Sequence, residues 1–173
     1  MKSNGDETQA DVRSVAPVYL VWSGETTLNC SISEAWPHVV NYSSWQTYST
    51  VQHVSGEPDR EGEVVLLKKD EKGAAGYPPY YARTVKRDEG RRIIWKCYPQ
   101  EVPKEGDFYG FVEFRVSEQG GKTLFWYNLI YEFQVPYQNI SELVSFQKQQ
   151  YLNAETLFEV ILPKLKALVE SRS

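Results

Sequence analysis

Cysteine and histidine are scarce in this chain. Its 173 residues include two cysteines, Cys30 and Cys97, and two histidines, with no paired spacing among them. A structural zinc site usually takes four closely spaced cysteine and histidine ligands, so no metal site is predicted. A chain of this length buries roughly two thirds of its unfolded surface, so its core needs no disulfide.

Basic charge and long apolar runs are also lacking. Lysine and arginine number 19 against 23 acidic residues, which gives a net charge of −4 and an isoelectric point near 5.3. Nucleic-acid binding depends largely on clustered cations, so DNA and RNA are not expected as partners. No run is long enough to span a bilayer, and residues 1–7 lack an apolar signal region. These features predict a soluble, cytoplasmic protein without integral membrane association.

Three catalytic signatures are missing from the sequence: the G-x-S-x-G elbow, the phosphate-binding P-loop and the dinucleotide fingerprint. Hydrolase, NTPase and nicotinamide-dependent functions therefore lose their usual support, and no cofactor is predicted. Neither His38 nor His53 has an obvious acidic or nucleophilic neighbour in sequence, so each is expected to be structural or exposed.

Aromatic residues are abundant, at 14% of the chain, and most of them fall in short strand-like runs. Residues 1–16 are polar and are predicted to form a disordered tail, followed by a single domain over residues 17–173. The first strand is predicted at residues 18–29. Ser33 and Glu34 then open a short helix with Pro37 in its first turn, and the chain breaks this helix around residues 41–44, before Trp45.

Six further strand-like runs follow, separated by turn segments rich in glycine, proline and aspartate. Their short spacings favour antiparallel hairpins over helical crossovers. The runs cover residues 48–54, 63–69, 80–87, 92–98, 108–116 and 123–134.

The last segment, residues 139–170, changes to a helical period. Asn139 and Glu142 resemble a capping box, and Pro163 should bend the helix. The apolar stripe consists of Leu143, Phe146, Ala154, Leu157, Phe158, Ile161, Leu165 and Leu168. These elements predict an α+β fold in which a curved antiparallel sheet wraps around the long C-terminal helix, with two short helices after the first strand.

Several stretches resemble the START-like superfamily, which includes polyketide cyclases, birch-pollen-type allergens and lipid-transfer domains. They are SISEAWPHVVNYSSW at residues 31–45, RTVKRDEGRRIIW at 83–95, KTLFWYNLIYEF at 122–133, and the final helix. The resemblance covers residues 18–170. It implies a helix-grip fold with a hydrophobic cavity between the sheet and the final helix.

The alternation of side chains predicts which face of each strand is buried. In residues 108–116 the apolar set is Gly110, Val112, Phe114 and Val116, and in residues 123–134 it is Phe125, Tyr127, Leu129, Tyr131 and Phe133. An even-length turn through Gly120 and Gly121 places both sets on one face.

The hairpin at residues 88–90 sets the orientation of Arg83. A three-residue loop with Gly90 in the left-handed conformation aligns Arg83 with Trp95 and points the guanidinium inward, where it can form a cation–π pair and bind a ligand oxygen. A two-residue turn would reverse this phase and place Arg83 in solvent.

Two glutamines, Gln147 and Gln150, occupy stripe positions on the final helix. They either contact a ligand or lie at the edge of the stripe in solvent. The residues predicted to bind a ligand are Tyr81, Arg83, Trp95, Phe114, Tyr127, Leu129, Tyr131, Gln147 and Gln150.

Three functions are compatible with these residues. The first is binding or carriage of a small hydrophobic molecule, aromatic, lipid or polyketide-like. The second is a polyketide cyclase or aromatase-dehydratase, with Arg83 as oxyanion partner and Tyr127 or Tyr131 as proton donor. The third is an interaction or chaperone-activator-like module, because Trp126 and Ile130 fall on the predicted outer face, where a homodimer would also cover them.

The segment at residues 72–79 is long for a hairpin turn and is predicted to be a mobile flap beside the cavity mouth, closed by Tyr77. An inert surface loop is the alternative. In that case the entrance would lie at residues 99–107 instead.

Overall fold

The computed structural model of the protein describes residues 13–69, 79–99 and 108–171. They form one antiparallel sheet of seven strands in the order β1-β7-β6-β5-β4-β3-β2. The strands are β1 Ser14–Leu28, β2 Tyr48–Ser55, β3 Val64–Lys69, β4 Tyr80–Asp88, β5 Arg92–Pro99, β6 Phe108–Gln119 and β7 Lys122–Tyr137. The helices are α1 Ile32–Val40, a short 3₁₀ helix Tyr42–Ser44, and α2 Ile140–Glu170. This architecture confirms the predicted α+β helix-grip fold.

The first strand begins earlier than predicted. Ser14 to Ala16 pair with Tyr137 to Val135 of β7, so these residues belong to the sheet and not to a tail. Ladder pairing offsets the cost of ordering a short segment whose side chains are largely exposed. The rest of the predicted tail, residues 1–12, lies outside the described residues.

Helix α1 begins at a complete capping box. The Ser31 side chain accepts the backbone N–H of Glu34, and the Glu34 carboxylate accepts the backbone N–H of Ser31 at 2.8 Å. The cap is therefore Ser31 and not Ser33, and Pro37 lies in the second turn instead of the first. Trp36 is buried, and its indole N–H donates to the Glu89 carboxylate in the β4–β5 turn.

The β6–β7 hairpin has the predicted register. Gln119 pairs with Lys122, which leaves Gly120 and Gly121 as a two-residue turn at φ values of 60° and 76°. Positive φ at both positions matches the right-handed twist of the strands, and glycine adopts it without strain. Phe114 pairs with Tyr127 and both are buried, so the two apolar sets share the inner face as predicted.

The β4–β5 hairpin departs from the predicted register. Gly90 has the expected positive φ of 65°, but the register shifts between Thr84 and Lys86, where β4 contains one extra residue. Beyond this bulge Thr84 pairs with Trp95 and Arg83 pairs with Lys96. The shift by one residue exchanges the two faces, so Arg83 lies on the outer face and the predicted inward orientation is wrong.

Helix α2 lies chiefly against β1, with further contacts to α1 and β7. Its Asn139 cap accepts the backbone N–H of Glu142. At its other end the Glu170 carboxylate accepts a hydrogen bond from the side-chain amide of Asn29, which follows β1, at 2.7 Å. All of its buried residues lie at position 154 or beyond: Ala154, Phe158, Ile161, Leu165 and Val169.

Candidate functional site

One end of the interior is filled by aromatic rings, and we call it the closed end. Trp45 lies at its centre, with its ring centroid 5.6 Å from Phe114 and 6.0 Å from Tyr127. Trp95 meets the edge of Tyr42 at 4.4 Å and of Phe114 at 4.9 Å. Edge-to-face contacts at these distances are favourable packing geometry. The three predicted ligand-binding rings Trp95, Phe114 and Tyr127 therefore belong to a packed core.

Acid–base chemistry at the closed end is suppressed by burial. Burial, followed by the nearby Glu63 carboxylate, raises the pKa of Tyr42 to about 12. Burial alone raises the pKa of the Cys97 thiol, so this cysteine is not a nucleophile at neutral pH. Both side chains remain neutral, and they contribute packing rather than proton transfer.

Two buried polar atoms near this end have no hydrogen-bond partner among the described residues: the indole nitrogen of Trp95 and the side-chain nitrogen of Gln46. Each leaves a desolvated donor in the interior, which is unfavourable by about 1 to 3 kcal/mol. The backbone carbonyl of Gln46 accepts from Lys164 of α2 at 3.4 Å.

Glu63 is the buried charged side chain among the described residues. Its carboxylate accepts the backbone N–H of Asp59 at 2.8 Å and contacts His53 Nδ1 at 3.2 Å. No motif in the sequence predicts this pair, because His53 lies in β2 and Glu63 lies ten residues later, just before β3. The Glu63 carboxylate holds the turn before β3 by accepting the Asp59 backbone N–H, and the neighbouring His53 is exposed.

The opposite end of the interior is less filled, and we call it the open end. Here the inner-face residues Tyr131 and Phe133 of β7 face the first half of α2, where Phe146 lies 5.4 Å from the Phe133 ring. Phe146 and Leu143 are only half-buried. Residues 140–153 of α2 contain no buried side chain. The open end therefore has apolar surface on both the sheet and the helix that is incompletely covered by the described residues.

Gly110 shapes this open end. It pairs with Tyr131, and a Cβ at position 110 would overlap both the Tyr131 ring and the carbonyl of Ile130. Only glycine allows the tyrosine ring to lie flat across the neighbouring strand. The absence of a side chain at position 110 therefore leaves room for the Tyr131 ring against β6.

Apart from Gln147, the predicted ligand-binding residues divide into three groups. Trp95, Phe114, Tyr127 and Leu129 are inner-face core residues, and Tyr131 and Gln150 lie half-buried at the open end. Gln147 is exposed and donates to the Tyr19 carbonyl at 3.4 Å, as expected for a residue at the edge of the stripe.

The third group, Tyr81 and Arg83, lies on the outer face. The same bulge in β4 that turns Arg83 outward turns Tyr81 toward Tyr98, with ring centroids 5.5 Å apart. Trp95 thus has Thr84 and not Arg83 opposite it, and the predicted cation–π pair is wrong. The alternation of residue types along β4 could not predict the bulge, because an extra residue in the pairing does not change which residues the strand contains.

Trp126 and Ile130 do lie on the outer face of β7. The Arg115 guanidinium is 4.4 Å from the centre of the Trp126 ring, and Ile130 is 48% exposed. Ile130 lies between Val21 and Phe111, which are also exposed. The homodimer or partner expected to cover these residues stays a prediction.

The predicted flap at residues 72–79 lies outside the described residues except for Pro79, and residues 100–107 of the alternative entrance also lie outside them. In the parts of the chain that the structure describes, no three histidine, cysteine or acidic side chains are grouped to hold a metal ion. No helix within those same parts is long and apolar enough to cross a membrane.

Solved structures share this architecture at low sequence identity. A START superfamily protein from Mycobacterium smegmatis is 18% identical, and the match covers 88% of this chain and 99% of that one with a TM-score of 0.63. An aromatase/cyclase from a Streptomyces species is 15% identical over 90% of this chain and 96% of its own, with a TM-score of 0.62.

Truncated norcoclaurine synthase from Thalictrum flavum is 12% identical over 92% of this chain and 98% of its own, with a TM-score of 0.63. No family profile and no curated protein matches the sequence. Identities this low carry the architecture alone. The chain therefore adopts the helix-grip fold that these three structures share.

Proposed function

We propose that the protein binds and carries a small, largely apolar molecule at the open end, between the inner face of the sheet and the first half of α2. The observation that carries this proposal is the contrast within one helix. Residues 154–169 of α2 supply its buried side chains, whereas the apolar Leu143 and Phe146 near its start remain half-buried. Incompletely covered apolar surface inside a curved sheet is the usual setting of a ligand pocket.

The chemistry of the open end favours an aromatic or other ring-containing ligand. Tyr131, Phe133 and Phe146 offer ring faces and edges, and the ring centroids of Tyr131 and Phe133 are 6.2 Å apart. The Tyr131 hydroxyl and the Gln150 amide are polar groups that can fix the orientation of such a ligand. One solved structure of norcoclaurine synthase with the same fold contains dopamine and hydroxybenzaldehyde, which supports a ligand of this class.

Binding is preferred over catalysis because ionisable groups are few on the inner face. Arg83, the expected oxyanion partner of a cyclase, lies on the outer face, and Tyr127 is packed in the core. Tyr131 is then the remaining proton donor from the predicted catalytic set. A cyclase reaction would need a second polar group to stabilise an enolate. Cyclase activity remains the alternative function, because one solved structure with the same fold is an aromatase/cyclase.

The proposal is tested with Nile red, a neutral fluorescent hydrophobe. We expect saturable binding at one molecule per chain, and Phe146→Ala should weaken it by roughly fivefold through loss of ring contact. Val144→Ala is the matched control, since Val144 is an exposed apolar residue two positions away on α2. Non-saturable uptake, or equal effects of the two substitutions, would exclude the open end as the binding site.

A further inference from the structure

A second concave surface lies outside the aromatic core, between the edge strand β1 and the second half of α2. This groove has a volume of about 450 Å³. Its apolar floor is formed by Trp22 of β1 with Phe158 and Leu162 of α2. The Trp22 and Phe158 rings are in contact, with centroids 3.5 Å apart. Phe158 also packs against Tyr127 at 4.9 Å, so the ring of Phe158 separates the groove from the closed end.

Gly24 makes the floor of the groove possible. A Cβ at this position would overlap the Phe158 ring and come within 2.8 Å of the Trp22 indole. The absence of a side chain lets the helix ring settle onto the backbone of β1. The floor is therefore built by the packing of β1 on α2 and does not depend on a ligand.

The rim of the groove is rich in hydrogen-bond acceptors. Glu155 and Glu159 line it with exposed side chains, and Lys166 is the one cationic residue among the described lining residues. Pro163 also lines the groove and has no N–H to donate to the carbonyl of Glu159 one helical turn earlier. The charge and the acceptors of the rim together complement a cation that carries N–H donors.

We propose that this groove binds a small organic cation, an amine that carries an aromatic or aliphatic group. The apolar group packs on Phe158 and Leu162, and the ammonium lies beside the Trp22 ring and within reach of the rim carboxylates. Cation–π attraction and hydrogen bonds to charged acceptors both strengthen when the ligand covers the rings from water. This site lies beyond the proposed carrier function, because it lies against the second half of α2, whereas the carrier site lies at the first half.

The test uses three fluorine-labelled probes of matched shape: trifluoromethyl-benzylamine, trifluoromethyl-benzyl alcohol and trifluoromethyl-benzoate. Binding is followed by fluorine NMR line broadening at constant ionic strength. We expect the amine to bind at least about threefold more tightly than the alcohol, and the carboxylate to bind most weakly, given the modest strength of exposed ion pairs. Saturating Nile red at the open end should leave the affinity for the amine unchanged.

The variant Glu155→Gln/Glu159→Gln should raise the dissociation constant of the amine roughly threefold or more and leave that of the alcohol unchanged. Glu57→Gln/Glu118→Gln is the matched control, because it removes the same charge from exposed carboxylates that do not line the groove. Equal affinity for all three probes overturns the proposal, as does an equal effect of the two double variants. Loss of amine binding in the presence of Nile red alone would place the amine at the open end instead.

Discussion

The two halves of α2 are buried to different extents against the same sheet. The second half buries Ala154, Phe158, Ile161, Leu165 and Val169 against β1, α1 and the aromatic cluster. The first half, over residues 140–153, has no buried side chain and leaves Ile140 and Leu152 exposed. A single amphipathic stripe can thus serve as core at one end and as the wall of a binding site at the other.

The difference comes from what each half faces. Opposite the second half, the 3₁₀ helix and its neighbours insert Tyr42 and Trp45 between the sheet and α2, and these rings fill the space. Opposite the first half, the described residues supply no comparable side chain. Aromatic rings bring a large buried area each, so their placement decides which end can still accept a ligand.

The largest expected effect is at the closed end. Trp45→Ala should destabilise the protein by about 3 to 5 kcal/mol, because the fully buried indole would leave a cavity and its N–H bond to the Val39 carbonyl would be lost. Phe146→Ala at the open end should lower the free energy of unfolding by only about 1 kcal/mol. Urea denaturation measures both. Equal losses would mean that the two ends are packed alike.

The second effect is alkaline destabilisation through Tyr42. Its pKa in the folded protein is about 12, above the ordinary value of 10.0 that it regains on unfolding. The neutral hydroxyl is therefore favoured by folding, and its stabilising contribution, up to ~3 kcal/mol, is present below pH 10 and lost as the pH rises toward 12. Tyr42→Phe should remove this part of the pH dependence. A wild-type curve that parallels that of Tyr42→Phe would place the hydroxyl in water.

A smaller effect is expected at the cap of α1, which covers the closed end. The hydrogen bond from the Ser31 side chain lowers the pKa of Glu34 below its ordinary value of 4.5. The resulting stabilisation is present above pH 4.5 and is lost as the pH falls through the lowered value. Glu34→Gln should flatten this acidic part of the stability profile, as measured by thermal unfolding across the acidic range. An unchanged profile would show that the capping box is not closed in solution.

The smallest expected effect is that of Arg83. Because this side chain lies on the outer face opposite Lys96, Arg83→Gln should change the dissociation constant for Nile red by less than about twofold. A loss of binding comparable to that of Phe146→Ala would indicate that Arg83 faces the interior, which would contradict the β4 register.

The sequence predicted the elements and the phase of β6 and β7 because their ladder is regular and the Gly120–Gly121 turn admits one register. It failed for β4, where one extra residue near Val85 reverses the phase of Arg83 without changing the composition of the strand. The sequence also could not predict which inner-face residues are fully buried and which are half-buried. Phe114 and Tyr131 have the same periodicity, but Tyr42 and Trp45 pack against Phe114 and bury it, whereas Tyr131 stays half-buried.

The groove shows a further limit of pattern reading. Trp22 and Gly24 belong to the inward phase of β1, and Phe158 belongs to the apolar stripe, so the sequence marks all three as core. Their role as a floor depends on the angle at which α2 crosses the edge strand, which is a property of the whole fold. No local signal shows that these side chains also border a groove.

The pairing of β1 with β7 has a consequence for synthesis. Val18 meets Phe133, a separation of 133 − 18 = 115 residues, so the first of the seven described strands to be synthesised pairs with the last. At about 5 to 20 residues per second, β1 waits roughly 6 to 23 seconds for its partner strand. During that interval the backbone donors and acceptors of this long strand are unpaired and its apolar face is uncovered. The nascent chain is therefore most exposed to aggregation before β7 appears, and slow steps late in translation prolong the hazard.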